Sequence, residues 1–440
     1  MKLLFISLGC DKNLVDSEHM LGMLEEKGYT FTDEETEAEV IVINTCCFIN
    51  DAKEESINTI LEMAEYRKSG PCKALIVTGC LAERYRQEIL KEIEEVDAVI
   101  GTTAYDALPE ILEQVFQGKK ELKTEELNRL VRTKAKRQLT TGGHYAHLKI
   151  AEGCDKHCTY CIIPRIRGSY RSVPMEQLLE EAKELAEQGV KELILVAQET
   201  TLYGIDLYGD KRLPKLLKEL CQIRGLRWIR VQYCYPEEIT EELIKVLKEE
   251  PKLCHYLDLP IQHASDGILK RMGRRTTRKD LEQIIERLRE AIPDICLRTT
   301  LITGFPGETQ EDHEELMEFV DTCEFDRLGV FTYSREEDTP AAQMPDQIPE
   351  EVKENRQAEL MELQQEIAFD KAESMVGREL EVMIEGQVAG ENAYIGRTYR
   401  DAPDVDGYIF INTEETLISG DFARVRVTGA LEYDLIGELI

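Results

Sequence analysis

Three cysteines share one context, each at the end of a short apolar run. LLFISLGC ends at Cys10, EVIVINTC at Cys46 and ALIVTGC at Cys80. Each is a short apolar run, and each leads into a segment with helical spacing: VDSEHMLGMLEEKG ending at Gly28, a stretch from about Asp51 to Lys68, and one from about Glu83. A fourth run, DAVIG, follows at 97–101. Strands alternating with helices at this pitch predict an α/β domain with a parallel sheet covered on both faces. Such a sheet delivers the C-terminal ends of its strands to one edge, so Cys10, Cys46 and Cys80 are expected to converge. Three convergent thiolates suit a 4Fe–4S cluster that keeps one iron open. The alternative is three unrelated core cysteines, since free cysteine is often buried. Cys47 is expected to face away from Cys46, because neighbouring strand residues point to opposite faces.

Cys154, Cys158 and Cys161 form a second set, spaced C-x3-C-x2-C in AEGCDKHCTYCIIPRIRGSYRS. Three thiolates on one compact loop can hold three irons of a 4Fe–4S cluster. No fourth cysteine lies nearby, which leaves one iron for a substrate or cofactor. A zinc loop is the competing reading, with His157 as fourth ligand. Yet His157 directly precedes Cys158, and adjacent residues rarely both turn onto one tetrahedral metal. The remaining cysteines, Cys72, Cys221, Cys234, Cys254, Cys296 and Cys323, share no pattern and read as structural, as does Cys47.

From Tyr145 the alternation restarts, with strand candidates at 145–153, 191–199, 226–233, 254–260, 295–304 and 326–334. Six strand–helix units are too few for a closed eight-unit barrel, so a partial, open-sided barrel is expected. Residues 118–143 are charged, lack apolar periodicity and read as a linker. A long helix is expected over about 349–375, with Pro349 near its start. Beyond it ELEVMIEGQ, AYIGRTYR, DGYIFINT and DFARVRVTGA are short strands separated by Gly, Asp and Asn, the pattern of a small antiparallel barrel. The expected domains are 1–135, 140–370 and 373–440.

Of the 440 residues, 54 are Lys or Arg and 86 Asp or Glu, a net charge of −32. A field of that sign repels phosphate backbones and attracts basic partners. The segment 371–440 carries six Lys and Arg against fourteen Asp and Glu, a net of −8. An RNA-binding barrel needs a basic face, so direct nucleic-acid binding is not favoured. Asp401, Asp404 and Asp406 read as a local acidic cluster suited to a basic partner, or as a merely solvated loop. No apolar run approaches the ~18 residues of a membrane span, so no membrane association is expected. MKLLFISLGC superficially looks like a lipoprotein signal, but Asp11 and Lys12 follow at once and a first strand is the better reading. Thirteen cysteines without a secretory signal point to reduced, metal-binding thiols and a cytoplasmic location.

The C-x3-C-x2-C loop after the first strand of a partial barrel resembles the radical S-adenosylmethionine superfamily. AQETTLYG (197–204), LPIQHASD (259–266) and LITGFPGET (301–309) follow later strands, at the ends where this architecture builds its sites. The resemblance implies that the open iron binds S-adenosylmethionine, whose reductive cleavage gives a 5′-deoxyadenosyl radical. Gln198, Thr200, Gln262, Arg298, Thr300 and Gly304 are then candidates for holding S-adenosylmethionine, each equally suited to forming a loop.

The whole chain, with its second cysteine set and terminal barrel, is similar to the methylthiotransferase family, and the barrel to a TRAM domain. This implies two 4Fe–4S clusters, on Cys10, Cys46 and Cys80 and on Cys154, Cys158 and Cys161. It also implies a reduced electron donor such as flavodoxin or ferredoxin. The motifs LGCDKNLVDSE (8–18), YLDLPIQHASDGILKRM (256–272) and GSYRSVP (168–174) resemble the ribosomal-protein branch, although Asp11 stands where that branch commonly has proline. That branch adds a methylthio group to the β-carbon of an aspartate in small-subunit ribosomal protein twelve. The alternative is the transfer-RNA branch, which modifies an adenosine. The resemblance assigns no residue a catalytic role beyond the cluster ligands.

Overall fold

Strand β1 (Lys2–Ser7) opens a six-stranded parallel sheet with β2 (Thr30–Phe31), β3 (Val40–Thr45), β4 (Ala74–Gly79), β5 (Ala98–Ile100) and β6 (Glu121–Lys123), in the order β2-β1-β3-β4-β5-β6. This computed structural model describes residues 1–131, 133 and 135–440. The residues of β3 and β4 are buried throughout because helices cover both faces. On one face Ile41, Ile43, Leu75 and Val77 pack with α2 (Asn50–Ser69) and α3 (Cys80–Glu92), through Ile60, Met63, Leu81 and Ile89. On the other Val40, Val42, Ala74 and Ile76 pack with α1 (Asp11–Glu26) and α4 (Leu108–Val115), through Met20, Leu24, Ile111 and Leu112. Each of these Val, Leu, Ile and Met side chains contributes roughly 1.5–3 kcal/mol by leaving water.

The expected linker is more ordered than its composition suggests. Glu121–Lys123 adds β6 to the sheet edge. Further on, the Arg137 Nε donates to the fully buried Glu18 carboxylate of α1 at 2.8 Å, and the Thr140 N–H donates to the same group at 2.8 Å. Arg132 and Lys134, also within that stretch, lie outside the described residues.

The chain forms two compact units, and the second is built on six parallel strands. These are β7 (Tyr145–Lys149), then, beyond a short antiparallel pair β8 (Ala151–Glu152) and β9 (Arg171–Ser172), the strands β10 (Glu192–Val196), β11 (Trp228–Val231), β12 (Leu253–Asp258), β13 (Cys296–Thr303) and β14 (Arg327–Thr332). Their order, β14-β13-β12-β11-β10-β7, is an open sheet, as six units predict. A helix over Glu350–Glu373 follows. The chain then closes a small barrel from β15 (Glu379–Gln387), β16 (Ala393–Arg397), β17 (Ile409–Asn412), β18 (Phe422–Leu431) and β19 (Asp434–Leu439). Strand β19, absent from the sequence reading, is the closing element: it pairs antiparallel with β18 and parallel with β17.

The terminal barrel packs against one face of this sheet within the same unit. Trp228 meets Phe422 edge-to-face at 4.9 Å, and Met383 and Ala402 join Ile194, Val196 and Tyr256. At the centre lies a buried charge chain. Glu192 accepts from Arg230 at 2.8 Å and from Arg397 at 2.7 Å, and Arg397 also donates to Glu385 at 2.6 Å. Burial pushes the Glu192 carboxyl up, but Arg397 and Arg230 outweigh it and hold the group below the usual range.

This packing corrects the acidic-cluster reading of 401–406. Asp401 is 2% exposed and accepts from Arg327 and Thr398. Asp406 accepts from the Tyr256 hydroxyl at 2.8 Å and lies 3.4 Å from the Arg298 Nε. Only Asp404 is exposed, and it accepts from the Tyr145 hydroxyl. Two of the three carboxylates thus face arginines inside the unit and present nothing to an external partner.

Truncating one member of a buried ion chain strands the others. Arg397→Met is expected to destabilise the apo protein by about 3–5 kcal/mol, read by urea unfolding. Arg397→Met/Glu192→Gln is expected to recover part of that loss.

Candidate metal-cluster site

No disulfide joins any of the thirteen cysteines. The three strand-end cysteines meet as the parallel topology requires. Cys10 is the N-cap residue of α1 and Cys80 the first residue of α3, so both lie at helix N-termini, where the dipole favours a thiolate. Cys46 follows β3, whose neighbours are β1 and β4. Cys46 and Cys80 are buried, whereas Cys10 is exposed.

Two glycines make the approach possible. Gly9 and Gly79, each just before a triad cysteine, have φ of 89° and 91°, a region L side chains avoid. A Cβ at Gly9 would lie 2.7 Å from the Cys46 Cβ and 2.9 Å from its Sγ. A Cβ at Gly79 would lie 2.3 Å from the Asn44 Oδ1 and 2.5 Å from the Thr45 carbonyl.

Asn13, in the first turn of α1, ties the strand ends together. Its Nδ2 donates to the Leu8 carbonyl at 3.0 Å and the Thr45 carbonyl at 2.9 Å, just before Cys10 and Cys46. Its Oδ1 lies 3.8 Å from the Cys80 Sγ and accepts from Arg167. Its backbone carbonyl accepts from the Asn44 Nδ2 at 2.9 Å.

The C-x3-C-x2-C loop belongs to the same compact unit, which comprises residues 1–140, 151–173 and 334–342. Ile162 and Ile166, just past Cys161, pack among the apolar side chains of α2 and α3. The Thr102 hydroxyl donates to the Ile166 carbonyl at 3.0 Å. Within the loop the Cys154 N–H donates to the Gly168 carbonyl and the Cys161 N–H to the Cys158 carbonyl. Cys154 and Cys158 are buried and Cys161 is half-buried. His157 is exposed, with a φ of 55°, so it turns away where its two cysteine neighbours turn in.

Burial and neighbouring thiols raise cysteines of both sets. Burial first, then the neighbouring Cys10, pushes the Cys46 thiol up, while Arg167 pulls it down. Burial also raises Cys80; Arg167 opposes, and Cys47, Cys46 and Cys10 add to the rise. Cys161 is raised by burial and then by Cys158 and Cys154. Thiols that oppose one another's ionisation are close neighbours, and cationic irons among them relieve that repulsion. Among the described residues no three His, Cys, Asp or Glu side chains converge tightly enough for one metal ion. An iron–sulfur cluster asks for something wider, because each thiolate takes a different iron. Three cysteine thiols in each set are the donor chemistry such a group takes. Cys47 is fully buried in the apolar core, and its thiol is pushed up to about 12, chiefly by burial.

The residues expected to hold S-adenosylmethionine sit in the other unit. Gln262, at a φ of 75°, exchanges backbone hydrogen bonds with β13: its N–H donates to the Thr300 carbonyl and its carbonyl accepts from Ile302. Arg298, on the same face of β13 as Thr300, donates to Asp258 at 3.1 Å. Gln198 and Thr200 follow β10. The Thr200 hydroxyl is fully buried and lies between the Gln232 and Tyr233 carbonyls, at 2.8 and 3.0 Å. Gly304 has a φ of 69°, and a Cβ there would lie 2.2 Å from the Lys353 Cγ.

The sequence reading did not single out Asn13 or Arg167. Asn13 was accessible in principle, because a polar residue three places after Cys10 in a first helical turn faces back to the strand ends. Nothing local separates Arg167, 2% exposed, from Arg165, whose side chain is 63% exposed.

An open parallel sheet, a three-thiol loop and a closed terminal barrel define a radical S-adenosylmethionine enzyme with an appended TRAM domain. Residues 148–320 match the family described as the radical SAM superfamily, residues 376–440 the TRAM domain, and residues 2–101 the uncharacterized protein family UPF0004. The chain is 66% identical to the ribosomal protein uS12 methylthiotransferase RimO of Lachnoclostridium phytofermentans over 437 residues, covering 99% of each. It is 49% identical to the RimO of Clostridioides difficile, covering 100% of this chain and 99% of that one. The chain therefore belongs to the uS12 methylthiotransferase RimO family of radical S-adenosylmethionine enzymes. Among solved structures, the radical S-adenosylmethionine methyltransferase TsrM from Kitasatospora setae shares the fold, with a TM-score of 0.56 and 15% identity, over 77% of this chain and 73% of that one.

Cys46→Ser is expected to lower the iron and sulfide bound after anaerobic reconstitution by about one cluster's share. Cys47→Ser is expected to leave both unchanged.

Proposed function

We propose that this chain is a radical S-adenosylmethionine transferase that adds a methylthio group to the β-carbon of an aspartate in ribosomal protein uS12. The observation that carries the reading is the presence of two three-thiol sets in one compact unit, in a chain 66% identical to a uS12 methylthiotransferase. The expected modules are 1–135, 140–370 and 373–440.

Cys10, Cys46 and Cys80 hold one 4Fe–4S cluster and Cys154, Cys158 and Cys161 the other. When bound, the second supplies the electron that cleaves S-adenosylmethionine to a carbon-abstracting radical, and the first supplies the sulfur. Gly9 and Gly79 let the strand ends close around the first set, and Asn13 fixes their spacing. Buried Cys46 and Cys80 shield that site, while Cys10 leaves it an exposed side. His157, turned outward, leaves the second set at three ligands. Gln198, Thr200, Gln262, Arg298, Thr300 and Gly304 hold S-adenosylmethionine, with Thr200 and Gly304 acting through loop shape and Arg298 held in place by Asp258 and Asp406.

The net charge of −32 favours a basic protein over a polyphosphate backbone as partner. A reduced flavodoxin or ferredoxin is the proposed electron donor and the cytoplasm the proposed location. Among the described residues no helix is long and apolar enough to cross a membrane.

The test is anaerobic incubation of reconstituted protein with uS12 and, separately, with tRNA, followed by mass spectrometry. A methylthio adduct on uS12 alone is expected; an adduct on tRNA alone would overturn the substrate. Cys154→Ala is expected to abolish 5′-deoxyadenosine release. Cys10→Ala is expected to keep that release but lose transfer, and undiminished transfer by that variant would refute the division of labour.

A further inference from the structure

The loop that carries the second thiol set also sends a cation into the first. Arg167, six residues past Cys161, is 2% exposed, and its guanidinium is fixed from three sides. Nη1 donates to Asp16 at 2.8 Å and to Glu152 at 3.2 Å, and Nη2 donates to the Asn13 Oδ1. That same oxygen lies 3.8 Å from the Cys80 Sγ, so guanidinium and sulfur flank one atom. Arg171 packs behind the guanidinium, donating to the Arg167 and Ser169 carbonyls at 2.7 and 2.8 Å. All of these residues lie in one compact unit.

A guanidinium suits this place for two reasons. It is charged at every accessible pH, and its planar fork can meet two carboxylates and an amide at once, which a lysine ammonium cannot match in geometry. Two arginines here face two carboxylates, Asp16 and Glu152. The counter-charges temper the field at the sulfurs, while the guanidinium alone of these charges shares the Asn13 Oδ1 with the Cys80 Sγ. Adding an electron to a cluster raises its negative charge, and a fixed cation close by makes that addition easier.

We propose that Arg167 is a positioning residue for the N-terminal thiol set, supplying the positive field that raises the reduction potential of the cluster held by Cys10, Cys46 and Cys80. The proposal rests on the reading that this set holds a cluster. Asn13 is the hinge of the device, since one amide orients the strand ends and accepts from the cation. The arginine comes from the segment that continues the C-x3-C-x2-C loop, so folding of that loop completes the electrostatic surroundings of the other set.

The test uses the full chain in a Cys154→Ala/Cys158→Ala/Cys161→Ala background, where only the N-terminal set can bind a cluster. Iron and sulfide content is measured first, and absence of a cluster there overturns the underlying reading itself. A mediated one-electron titration with dithionite, followed by electron paramagnetic resonance, then gives the midpoint potential. Arg167→Met is expected to make reduction at least tenfold less favourable, a negative shift of 59 mV or more for one electron. Arg167→Lys, which keeps the charge, is expected to recover at least half of that shift. Glu152→Gln removes a counter-charge, and its midpoint is expected to move the opposite way. An unchanged midpoint in Arg167→Met at full iron content overturns the proposal. Should Arg167→Met bind no iron, Glu152→Gln decides: a positive shift supports the proposal, and no shift or a negative one overturns it.

Discussion

The cysteine-bearing strand ends of the first unit are tied together by the buried Asn13 side chain. A primary amide offers two donors and an acceptor in fixed geometry. Here the donors take the carbonyls before Cys10 and Cys46, and the acceptor faces Cys80 and Arg167. With its partners fixed on both sides, the amide has one orientation, and so do the strand ends. A buried polar group without partners would cost about 1–3 kcal/mol. Fully satisfied, it becomes a template that sets the spacing of three sulfurs which would otherwise depend on sheet twist alone.

The second unit solves a different problem with the same chemistry. The terminal barrel lies on one face of an open sheet, and its seam includes arginines and carboxylates as well as Trp228, Tyr256 and Phe422. An apolar seam would give comparable burial without the desolvation cost of ions. Charged pairs have directional partners, however. Arg397 with Glu192 and Glu385, and Asp406 with Tyr256 and Arg298, admit one seating of the barrel. Arg298, proposed to hold S-adenosylmethionine, is thus braced by a residue of the terminal barrel.

The two networks bear differently on function. The Asn13–Arg167 arrangement acts on sulfur ligands and on charge near them. The barrel seam acts on the shape of the sheet that carries the S-adenosylmethionine candidates. Because the seam consumes Asp401 and Asp406, attraction of a basic partner falls to the net charge of the whole surface rather than to one loop.

The sequence by itself determined the alternation of strands and helices and hence two parallel sheets, the sulfur positions at strand ends, and the C-x3-C-x2-C loop. These rest on local periodicity and on the rule that parallel strands end at one edge, which one chain displays without knowledge of its contacts. Strand parity led to the expectation that Cys47 faces away from Cys46, whereas the fold buries both and packs Cys47 with Cys80 in one apolar core. Tertiary structure alone decided that Arg167 is buried while Arg165 is exposed, and that Asp401 and Asp406 face arginines. It alone also made Glu121–Lys123 an edge strand and Asp434–Leu439 the closing strand of a barrel. The partners in each case lie far away along the chain, and a charged residue or a short strand carries no mark of whether a partner will reach it. Burial of a charge is a property of the pair and its surroundings, and only the folded chain brings them together.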